Sequence, residues 1–312
     1  MTLQQLLYIV KIAETGSLSR AAERLYVAQP SLTASVRELE KEIGVTLFNR
    51  TGRGVTLTAD GASFLPYARS VLEQYENLLD AYGSGSPRKQ KFAVSTQHYS
   101  FAVKAFVELV RSLDVAEYEL ALRETRTRDV ISDVAASRSE IGVLYKSDFN
   151  RKAITKLLSG ENLEFHTLIT CSAFVYLWKG HPLAKNESIS FEELTPYPNL
   201  SFEQGETGSF YFAEEILSTN EYPRSILCND RATMLNLMVG VNGYTLCSGI
   251  ICEELNGSDF AAVPYRGEGE NKNSEMEIGY ITRSGSLMSV AAQRYIFELK
   301  KYLGIADQPP TA

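Results

Sequence analysis

The chain has 312 residues, of which 44% are hydrophobic and 22% are charged, and its net charge is −7 at pH 7. This length indicates about two domains with ordinary cores, and the negative charge excludes a protein that coats nucleic acid along its whole surface. Residues 1–58 carry seven Lys or Arg and five Asp or Glu, a balance of +2, so the other 254 residues carry −9. Attraction to phosphate is therefore concentrated at the amino-terminal end.

Residues 16–43 have the pattern of two short helices joined at a tight corner. Gly16 suits the end of one helix, and the hydroxyl of Ser17 suits the start of the next. The first of the two helices has a small apolar face, made of Ala21, Ala22 and Leu25. Small residues let a second helix pack closely across it, and the corner falls at residues 26–28.

The second helix opens at Gln29-Pro30, with the proline expected at the first helical position, where its missing N–H costs least. Its apolar residues recur at steps of four, three and four, which predicts a buried stripe of Leu32, Val36, Leu39 and Ile43. The residues left outward are Ser31, Thr33, Ala34 and Ser35, followed by Arg37. Small hydroxyls permit close approach to base edges, and an arginine binds phosphate or guanine. Singly, these residues also fit an ordinary solvated helix face.

A basic hairpin is predicted next. Residues 47–50 and 55–57 alternate like paired strands around the tip Thr51-Gly52-Arg53-Gly54, with Arg50 beside it. A narrow arginine-bearing tip suits the minor groove of DNA.

Residues 2–65 resemble the winged helix-turn-helix of the LysR-type transcriptional regulators. The matching residues are Gly16-Ser17-Leu18, Ala21-Ala22, Leu25, Gln29-Pro30-Ser31-Leu32-Thr33, Leu39-Glu40, Gly44-Val45, Leu47-Phe48, Arg50, Leu57-Thr58 and Gly61. Ala34 departs from the pattern, because relatives often carry arginine there, and this shifts weight to Arg37, Arg50 and Arg53. The expected DNA contacts are Ser17, Arg20, Gln29, Pro30, Ser31, Thr33, Arg37, Arg50 and Arg53.

The resemblance implies a cytoplasmic bacterial regulator that binds an interrupted palindrome as a dimer or a dimer of dimers and responds to a small effector. The implied partners are double-stranded promoter DNA, a second copy of the chain and RNA polymerase, with no membrane. In agreement, no hydrophobic stretch reaches the roughly 18 to 20 residues that cross a bilayer, and the amino terminus has no cleavable apolar core.

A long helix is predicted from a cap at Thr58 to about Tyr82. Its apolar residues alternate steps of three and four, as in the seam between two helices that wind about each other; they are Leu65, Ala68, Leu72, Tyr75, Leu79 and Tyr82. We expect Leu65, Leu72, Tyr75 and Leu79 to form a dimer interface, the alternative being packing on the same chain. Gly83-Ser84-Gly85-Ser86-Pro87 then predicts a flexible break. The expected domains are therefore 1–58, a linker helix and hinge at 59–87, and 88–312.

Beyond the break, strands alternate with helices, which favours a largely parallel sheet covered on both faces. The predicted strands are 91–95, 118–123, 141–145, 167–177, 199–202, 225–228, 244–247 and 277–282. The predicted helices are 100–112, 128–136, a helix opened by Ser190, 210–218, 232–240 and 287–303. We expect two lobes with one cleft, lobe 1 at about 88–165 and 267–312 and lobe 2 at about 166–266.

This region resembles the effector domain of the same family, which shares its fold with the type 2 periplasmic solute-binding proteins. The landmarks are His181-Pro182-Leu183-Ala184 and Gly240-Val241-Asn242-Gly243-Tyr244. The expected fold class is thus an all-α winged helix-turn-helix with a long linker helix, followed by an α/β two-lobed domain.

Ligands of such sheets bind outside the carboxyl ends of strands, near helix amino termini. The candidates at these positions are Ser95, Thr96, Gln97, His98, Tyr99, Ser100, Thr125, Ser201, Phe202, Glu203, Asp230, Cys247 and Ser248. They suit a small anionic or zwitterionic metabolite, an amino acid being one example, and no cofactor is expected. Helix capping is the alternative role of Ser100 and Asp230.

Two other functions, a switch by cysteine oxidation and catalysis, would need residue patterns that the sequence does not show. Cys171, Cys228, Cys247 and Cys252 lack metal-ligand spacing with each other or with the three histidines, so no metal is expected. A regulator switched by oxidation of Cys228, Cys247 or Cys252 is an alternative, although nothing marks a low-pKa thiol. An enzyme on the two-lobed fold would need catalytic groups that do not emerge from the pattern.

Overall fold

The computed structural model describes residues 1–51, 54–82, 90–205, 210–267 and 275–306. The expected DNA contact Arg53 and the predicted break at 83–87 lie outside these residues. The chain forms two compact units, Met1–Arg88 and Lys89–Ala312. In the described ranges, no helix has the length and apolar character needed to cross a membrane.

The first unit contains a helix-turn-helix and a hairpin. Its elements are α1 (Leu3–Thr15), α2 (Leu18–Arg24), α3 (Gln29–Ile43), β1 (Phe48–Thr51), β2 (Gly54–Leu57) and α4 (Ala59–Tyr82). Gly16, in the left-handed conformation with φ 62°, ends α1, and the Ser17 hydroxyl accepts a hydrogen bond from the Arg20 N–H at the start of α2. The predicted helix stop and start are confirmed.

The helix α3 begins at Gln29, so Pro30 is its second residue and not its first. The correction leaves the physical argument intact, since the first four helical N–H groups have no intrahelical partner. Leu32, Val36 and Leu39 are buried as predicted. They pack with residues of α1 and α2 in one core, and this burial directs the polar face of α3 outward.

The hairpin of β1 and β2 is antiparallel and attached to both sides of the helix-turn-helix. The Glu40 carboxylate accepts hydrogen bonds from the N–H of Leu47 at 2.7 Å and of Phe48 at 3.3 Å. The Val55 N–H donates to the carbonyl of Gly16 at 3.0 Å. These hydrogen bonds from backbone N–H groups fix the direction of the hairpin β1–β2, which we call the wing.

The start of α4 lies very close to the wing. The Thr58 hydroxyl accepts from the Gly61 N–H at 2.9 Å, which confirms the predicted cap, and the Leu47 carbonyl accepts from the Thr58 N–H at 3.0 Å. A Cβ at Gly61 would overlap the Leu47 carbonyl oxygen. Further along the helix, Pro66 has no N–H to offer the carbonyl of Ala62.

We expect Gly61→Ala to lower the free energy of unfolding of the first unit by about 3 kcal/mol, because the added methyl meets a backbone atom that cannot rotate away. The control is Gly240→Ala, at a helical position where a Cβ meets nothing within 4 Å; it should be neutral or stabilising by up to about 1 kcal/mol. Urea unfolding followed by circular dichroism compares the two variants. Equal stability of both would contradict the close packing at Gly61.

The two faces of α4 differ from the predicted dimer seam. Leu65, Ala68 and Leu72 pack against Leu6 and Val10 of α1, so the alternative of packing on the same chain holds for this face. The exposed apolar residues lie on the other side of the helix, at steps of four, four and three: Tyr67, Val71, Tyr75 and Leu78. We call these four residues the α4 stripe. Of the predicted seam residues it contains only Tyr75, while Leu79 is half-buried.

The second unit has two lobes built on separate sheets. Its elements are β3 (Gln90–Thr96), α5 (Ser100–Arg111), β4 (Tyr118–Glu124), α6 (Thr127–Ala135), β5 (Ile141–Lys146), α7 (Arg151–Gly160), β6 (Leu163–Ser172), β7 (Phe174–Trp178), β8 (Ile189–Ser190), α8 (Phe191–Leu194), β9 (Asn199–Phe202), a 3-10 turn (Phe210–Phe212), β10 (Ser225–Cys228), α9 (Arg231–Val241), β11 (Thr245–Cys247), α10 (Glu253–Asn256), β12 (Phe260–Arg266), β13 (Glu275–Arg283) and α11 (Val290–Tyr302).

Lobe 1 holds a five-stranded sheet in the order β4-β3-β5-β13-β6. Strand β3 is parallel to β4 and to β5, whereas β13 is antiparallel to β5 and to β6. The sheet is therefore mixed, and the expected parallel pairing applies to three strands only. The sequence pattern did not reveal helix α7 of this lobe, nor the elements β8, α10 and β12 elsewhere in the second unit.

Lobe 2 holds a four-stranded sheet, β11-β7-β12-β8, and the parallel pair β9 and β10. The predicted single strand at 167–177 is in fact two strands separated by Ala173, with β6 in lobe 1 and β7 in lobe 2. The passage between the lobes thus lies at Ala173 and not at residue 166. The sequence pattern did not reveal this change of sheet, because the residues on both sides of Ala173 favour an extended strand.

The predicted helix at 210–218 is wrong. Only the 3-10 turn Phe210–Phe212 forms, and Leu217 adopts the left-handed conformation with φ 61°. Carbonyls in this segment accept from distant hydroxyls instead of helical N–H groups: Phe212 from Thr127 and Glu215 from Tyr145. This irregular backbone carries Glu214 and Glu215 into a buried position, with 6% and 7% exposure.

Candidate DNA interface and effector pocket

The expected DNA contacts of the first unit share one exposed helix face. Gln29, Pro30, Ser31 and Arg37 are exposed on α3, and Thr33 is half-buried. The Gln29 side-chain amide donates to the Thr33 hydroxyl at 3.2 Å, which leaves the amide oxygen and the hydroxyl proton to bind other groups. The start of α3 thus offers small polar groups at its surface.

The other expected DNA contacts that the structure describes lie outside α3. Arg20 on α2 and Arg50 on β1 are exposed, while the Ser17 hydroxyl already caps α2. Tyr26, at the corner between α2 and α3, was not among the expected contacts; it is 96% exposed and has a φ of 55°. A tyrosine at a position that favours glycine gives no signal in the sequence.

A pocket with an open mouth lies between the two lobes of the second unit. Its volume, together with the space at the mouth, is about 650 Å³. Lobe 1 contributes the start of α5 and Met276, and lobe 2 contributes most of the wall. The lining residues are His98, Tyr99, Ser100, Tyr176, Phe202, Glu214, Glu215, Arg231, Met234, Leu235, Thr245, Leu246, Cys247, Ser248, Ile250, Ile251, Asn256 and Met276. The wall is mainly apolar, with a few polar groups.

Six of the predicted effector residues line this pocket: His98, Tyr99, Ser100, Phe202, Cys247 and Ser248. The structure places the other seven elsewhere. The Ser95 hydroxyl donates to Asp133 at 2.5 Å, and Thr96 donates to the carbonyl of Gln97. The Gln97 amide donates to Thr127 at 2.6 Å. All three side chains are fully buried within lobe 1, because the end of β3 packs under α6.

The remaining four predicted residues have structural partners outside the pocket lining. Thr125 donates to Asp129 at 3.5 Å, and the Ser201 carbonyl accepts from the Cys228 thiol. Glu203 pairs with Arg126. Asp230 caps α9, its carboxylate accepting from the Thr233 N–H at 2.8 Å, so the capping alternative describes this residue.

One wall of the pocket is a stack that joins the lobes. The His98 ring from lobe 1 lies on the Phe202 ring from lobe 2, with centroids 3.7 Å apart and planes 9° from parallel. The Glu214 carboxylate accepts from the His98 N–H at 2.9 Å and lies 2.8 Å from His98 Nδ1. Its other oxygen accepts from Gln204 at 3.0 Å. Glu214 is therefore fully engaged by protein donors.

The neighbouring carboxyl is kept neutral. Burial raises the pKa of Glu215 to about 8, with a further contribution from the charge of Glu214. One oxygen of Glu215 accepts from the Phe202 N–H at 2.8 Å. Two adjacent buried carboxyls cannot both ionise at low cost, so at neutral pH the Glu215 carboxyl is mostly protonated.

Two ion pairs connect the lobes beside the pocket. Arg231, the first residue of α9, pairs with Glu124 at the end of β4, and Arg126 of lobe 1 lies 3.6 Å from the Glu203 carboxylate of lobe 2. Desolvation lowers the pKa of Arg231. Arg231, Glu214 and Glu215 were all missed by the sequence analysis, and the only available signal was the adjacency of Arg231 to the candidate Asp230.

Two of the three cysteines considered for a redox switch, Cys228 and Cys247, have thiols that burial keeps protonated. Burial raises the pKa of Cys247 to about 12 and the pKa values of Cys171 and Cys228 to about 11. Oxidation requires the thiolate form, so these shifts oppose the redox alternative at Cys228 and Cys247. Over the described part of the chain, no cluster of three or more His, Cys, Asp or Glu side chains could hold a metal ion.

Comparison with known families decides what this two-unit chain is. The family model described as a bacterial regulatory helix-turn-helix protein of the lysR family matches residues 3–62. The model described as the LysR substrate binding domain matches residues 100–304, well over half of the chain. The chain belongs to the LysR family. It is a DNA-binding transcriptional regulator with an effector-binding domain, as the sequence resemblance predicted.

Curated relatives of this LysR-family regulator are themselves named as regulators. It is similar to the uncharacterised regulator YbhD of Escherichia coli, with 24% identity over 92% of this chain and 87% of the relative. It is also similar to the regulator AlsR of Bacillus subtilis, with 31% identity over 64% of each chain. These names support a regulator at the level of the family.

Solved structures agree with the fold. A full-length OxyR variant from Pseudomonas aeruginosa superimposes with a TM-score of 0.64 at 18% identity, covering 98% of this chain and 95% of that one. Full-length CbnR in complex with its target DNA gives a TM-score of 0.52 at 18% identity, covering 97% and 100%. At this identity the likeness supports the architecture alone.

Proposed function

We propose that this LysR-family regulator binds an interrupted palindrome in promoter DNA as a dimer or a dimer of dimers, with α3 in the major groove. The observation that carries the proposal is the exposed start of α3, where Gln29, Ser31 and Thr33 present small polar groups ahead of Arg37. Small side chains let the helix approach base edges, and guanidinium groups bind phosphates. Arg20 and Arg50 add phosphate contacts from the neighbouring elements, and Arg53 remains a predicted contact of the wing.

The pocket between the two lobes is, in the same proposal, the binding site for a small-molecule effector. Its concave, mainly apolar wall with a few convergent polar groups is typical of small-molecule sites. An effector can switch the regulator only by binding one lobe arrangement better than another, and a difference of about 1 to 3 kcal/mol gives a 5- to 150-fold response. The spacing or angle of the paired DNA-binding units would change in response.

The setting of this function follows from its DNA target. The regulator acts in the bacterial cytoplasm, where the chromosome lies, and RNA polymerase is the partner that it meets at the promoter. The relatives reported above are transcriptional regulators, which supports a role without catalysis.

We expect Arg37→Ala to weaken promoter binding and to reduce the slope of log affinity against log salt by about one, the value for one lost phosphate contact. The control is Arg294→Ala, which removes an exposed arginine of α11 in the effector-binding unit and should leave the slope unchanged. Gel shifts over a salt series measure both. Equal slopes for the wild type and Arg37→Ala would rule out the phosphate contact.

A companion variant separates base reading from phosphate binding. Thr33→Val keeps the shape of the side chain and removes its hydroxyl, so it should change the preference between operator bases by about 1 to 3 kcal/mol if the hydroxyl touches a base edge. Its salt slope should remain that of the wild type. If no promoter fragment from the source bacterium binds even at low salt, the proposed function fails.

A further inference from the structure

The most unusual group in the effector pocket is the side chain of Arg231. The side chain is 18% exposed, and it forms an ion pair with Glu124 across the gap between the lobes. Its Nε atom is inaccessible to solvent and, among the described residues, has no hydrogen-bond partner. A buried donor on a charged group is costly to leave unmatched, so this atom is suited to an acceptor that a ligand brings.

A second unmatched group lines the same pocket. Thr245 on β11 is 6% exposed, and its hydroxyl has no hydrogen-bond partner in the described part of the chain. The carboxyl groups of the pocket, in contrast, already have partners: Glu214 and Glu215 each accept a hydrogen bond from a backbone N–H group. Arg231 and Thr245 therefore have unmatched polar atoms in the pocket wall, whereas the two carboxyls already accept hydrogen bonds.

The other residues of the pocket wall indicate that the body of the ligand is apolar. Apolar side chains dominate it, among them Tyr176, Met234, Leu235, Ile250 and Met276. A ligand that is polar throughout would leave these side chains and its own polar groups unmatched. A ligand with one anionic end and an apolar body matches both the unmatched polar groups and the apolar wall of the pocket.

We propose that the effector is a small carboxylate with an apolar body, and that its carboxylate takes the place of Glu124 on Arg231 and accepts a hydrogen bond from Thr245. This rests on the proposed function, in which the pocket is the effector site. A guanidinium binds carboxylates through two parallel N–H donors, so the ligand and Glu124 compete for the same group. Glu124 belongs to lobe 1 and Arg231 to lobe 2, and the exchange therefore removes one of the two ion pairs that connect the lobes beside the pocket.

The test uses the full chain and two carboxylate probes, sodium benzoate and sodium isovalerate, with benzamide and isovaleramide as neutral matches of the same shape. Thermal unfolding is recorded at about 10 mM probe, which detects ligands with a Kd of about 1 mM or below. Both carboxylates should raise the melting temperature of the effector-binding unit, and the amides should not. Equal effects of acids and amides, no effect of either acid, or an equal effect of inorganic phosphate would overturn the proposal.

Three variants assign the effect to the named groups. Arg231→Gln and Thr245→Val should each weaken carboxylate binding by about 10-fold or more, and Arg294→Gln serves as the control cation outside the pocket. Thr245→Val exchanges an unmatched hydroxyl for a methyl group, so without probe it should melt at the same temperature as the wild type or higher. It therefore keeps the test decisive if Arg231→Gln does not fold. Unchanged carboxylate affinity in Thr245→Val would overturn the assignment of that hydroxyl.

The competition itself is tested by Glu124→Gln. Removing the internal competitor should tighten carboxylate binding by about 5-fold or more, whereas Glu203→Gln, which weakens the other ion pair between the lobes, should tighten it less. Weaker binding in Glu124→Gln would contradict the exchange. Promoter binding by the same proteins is measured separately: carboxylate binding without any DNA binding would remove the proposed function and leave this inference standing.

Discussion

Val71→Asp should convert the regulator into monomers and lower its affinity for a palindromic operator by about 100-fold or more. Val71 lies at the centre of the α4 stripe, with Tyr75 and Leu78 on the following turns of the same face, and these three side chains are 46%, 40% and 55% exposed. An apolar stripe of this spacing is typical of paired helices, and a charge within it would be desolvated without a partner. Loss of pairing removes the gain of 10² to 10⁴ that two linked binding units provide.

The control for this prediction is Glu76→Lys, which changes the charge on the opposite face of the same helix. Analytical ultracentrifugation gives the oligomeric state, and gel shifts on a palindromic promoter fragment give the affinity. Glu76→Lys should remain oligomeric. A Val71→Asp protein that sediments like the wild type would show that the α4 stripe is not the dimer interface.

Glu215→Gln should stabilise the effector-binding unit at high pH and have little effect at low pH. The folded-state pKa of about 8 lies above the ordinary value of 4.5 because the carboxyl is buried beside Glu214. The group is neutral in the folded chain and charged in the unfolded chain between these values, so the stability that it contributes is complete below about pH 4.5. That stability is lost as the pH rises through about 8, by at most about 5 kcal/mol.

Thermal unfolding from pH 5 to pH 8.5 checks this prediction. The difference in melting temperature between the variant and the wild type should grow with pH, since glutamine cannot ionise and its amide oxygen can still accept from the Phe202 N–H. The control is Glu203→Gln, which alters an exposed carboxylate. A constant difference across the range would mean that Glu215 is not held neutral by the fold.

The helix-turn-helix could be predicted almost residue by residue because its signals are local. The cap at Ser17, the turn at Gly16 and the stripe from Leu32 to Leu39 depend on neighbours within one or two turns. Leu65 and Leu72 of the predicted dimer seam pack within the chain, because a pattern of apolar residues along a helix does not say which helix covers it. Helix α1 covers Leu65 and Leu72, and three residues of the α4 stripe were not in the predicted seam: Tyr67, Val71 and Leu78.

The two-lobed unit was predictable in its strands and less so in their arrangement. The strand pattern does not say that β13 runs antiparallel between β5 and β6, since pairing depends on contacts across more than 100 residues. The pocket was predicted at the ends of strands, and the start of α5 is indeed part of it. Glu214 and Glu215 were missed because nonlocal hydrogen bonds hold their segment in a buried position. Arg231 was missed because an arginine directly after a helix cap is ordinarily exposed to solvent.

Pro66 gives α4 one weak point along its length. The Ala62 carbonyl has no helical donor there, so bending the helix at this turn disrupts one hydrogen bond fewer than bending it elsewhere. The turn lies between Gly61, held against the wing, and Val71 at the centre of the α4 stripe. Helix α1, however, packs against Leu65, Ala68 and Leu72 on both sides of this turn. We therefore expect the helix-turn-helix and the start of the α4 stripe to move together, which would restrict the regulator to operators with a narrow range of half-site separations.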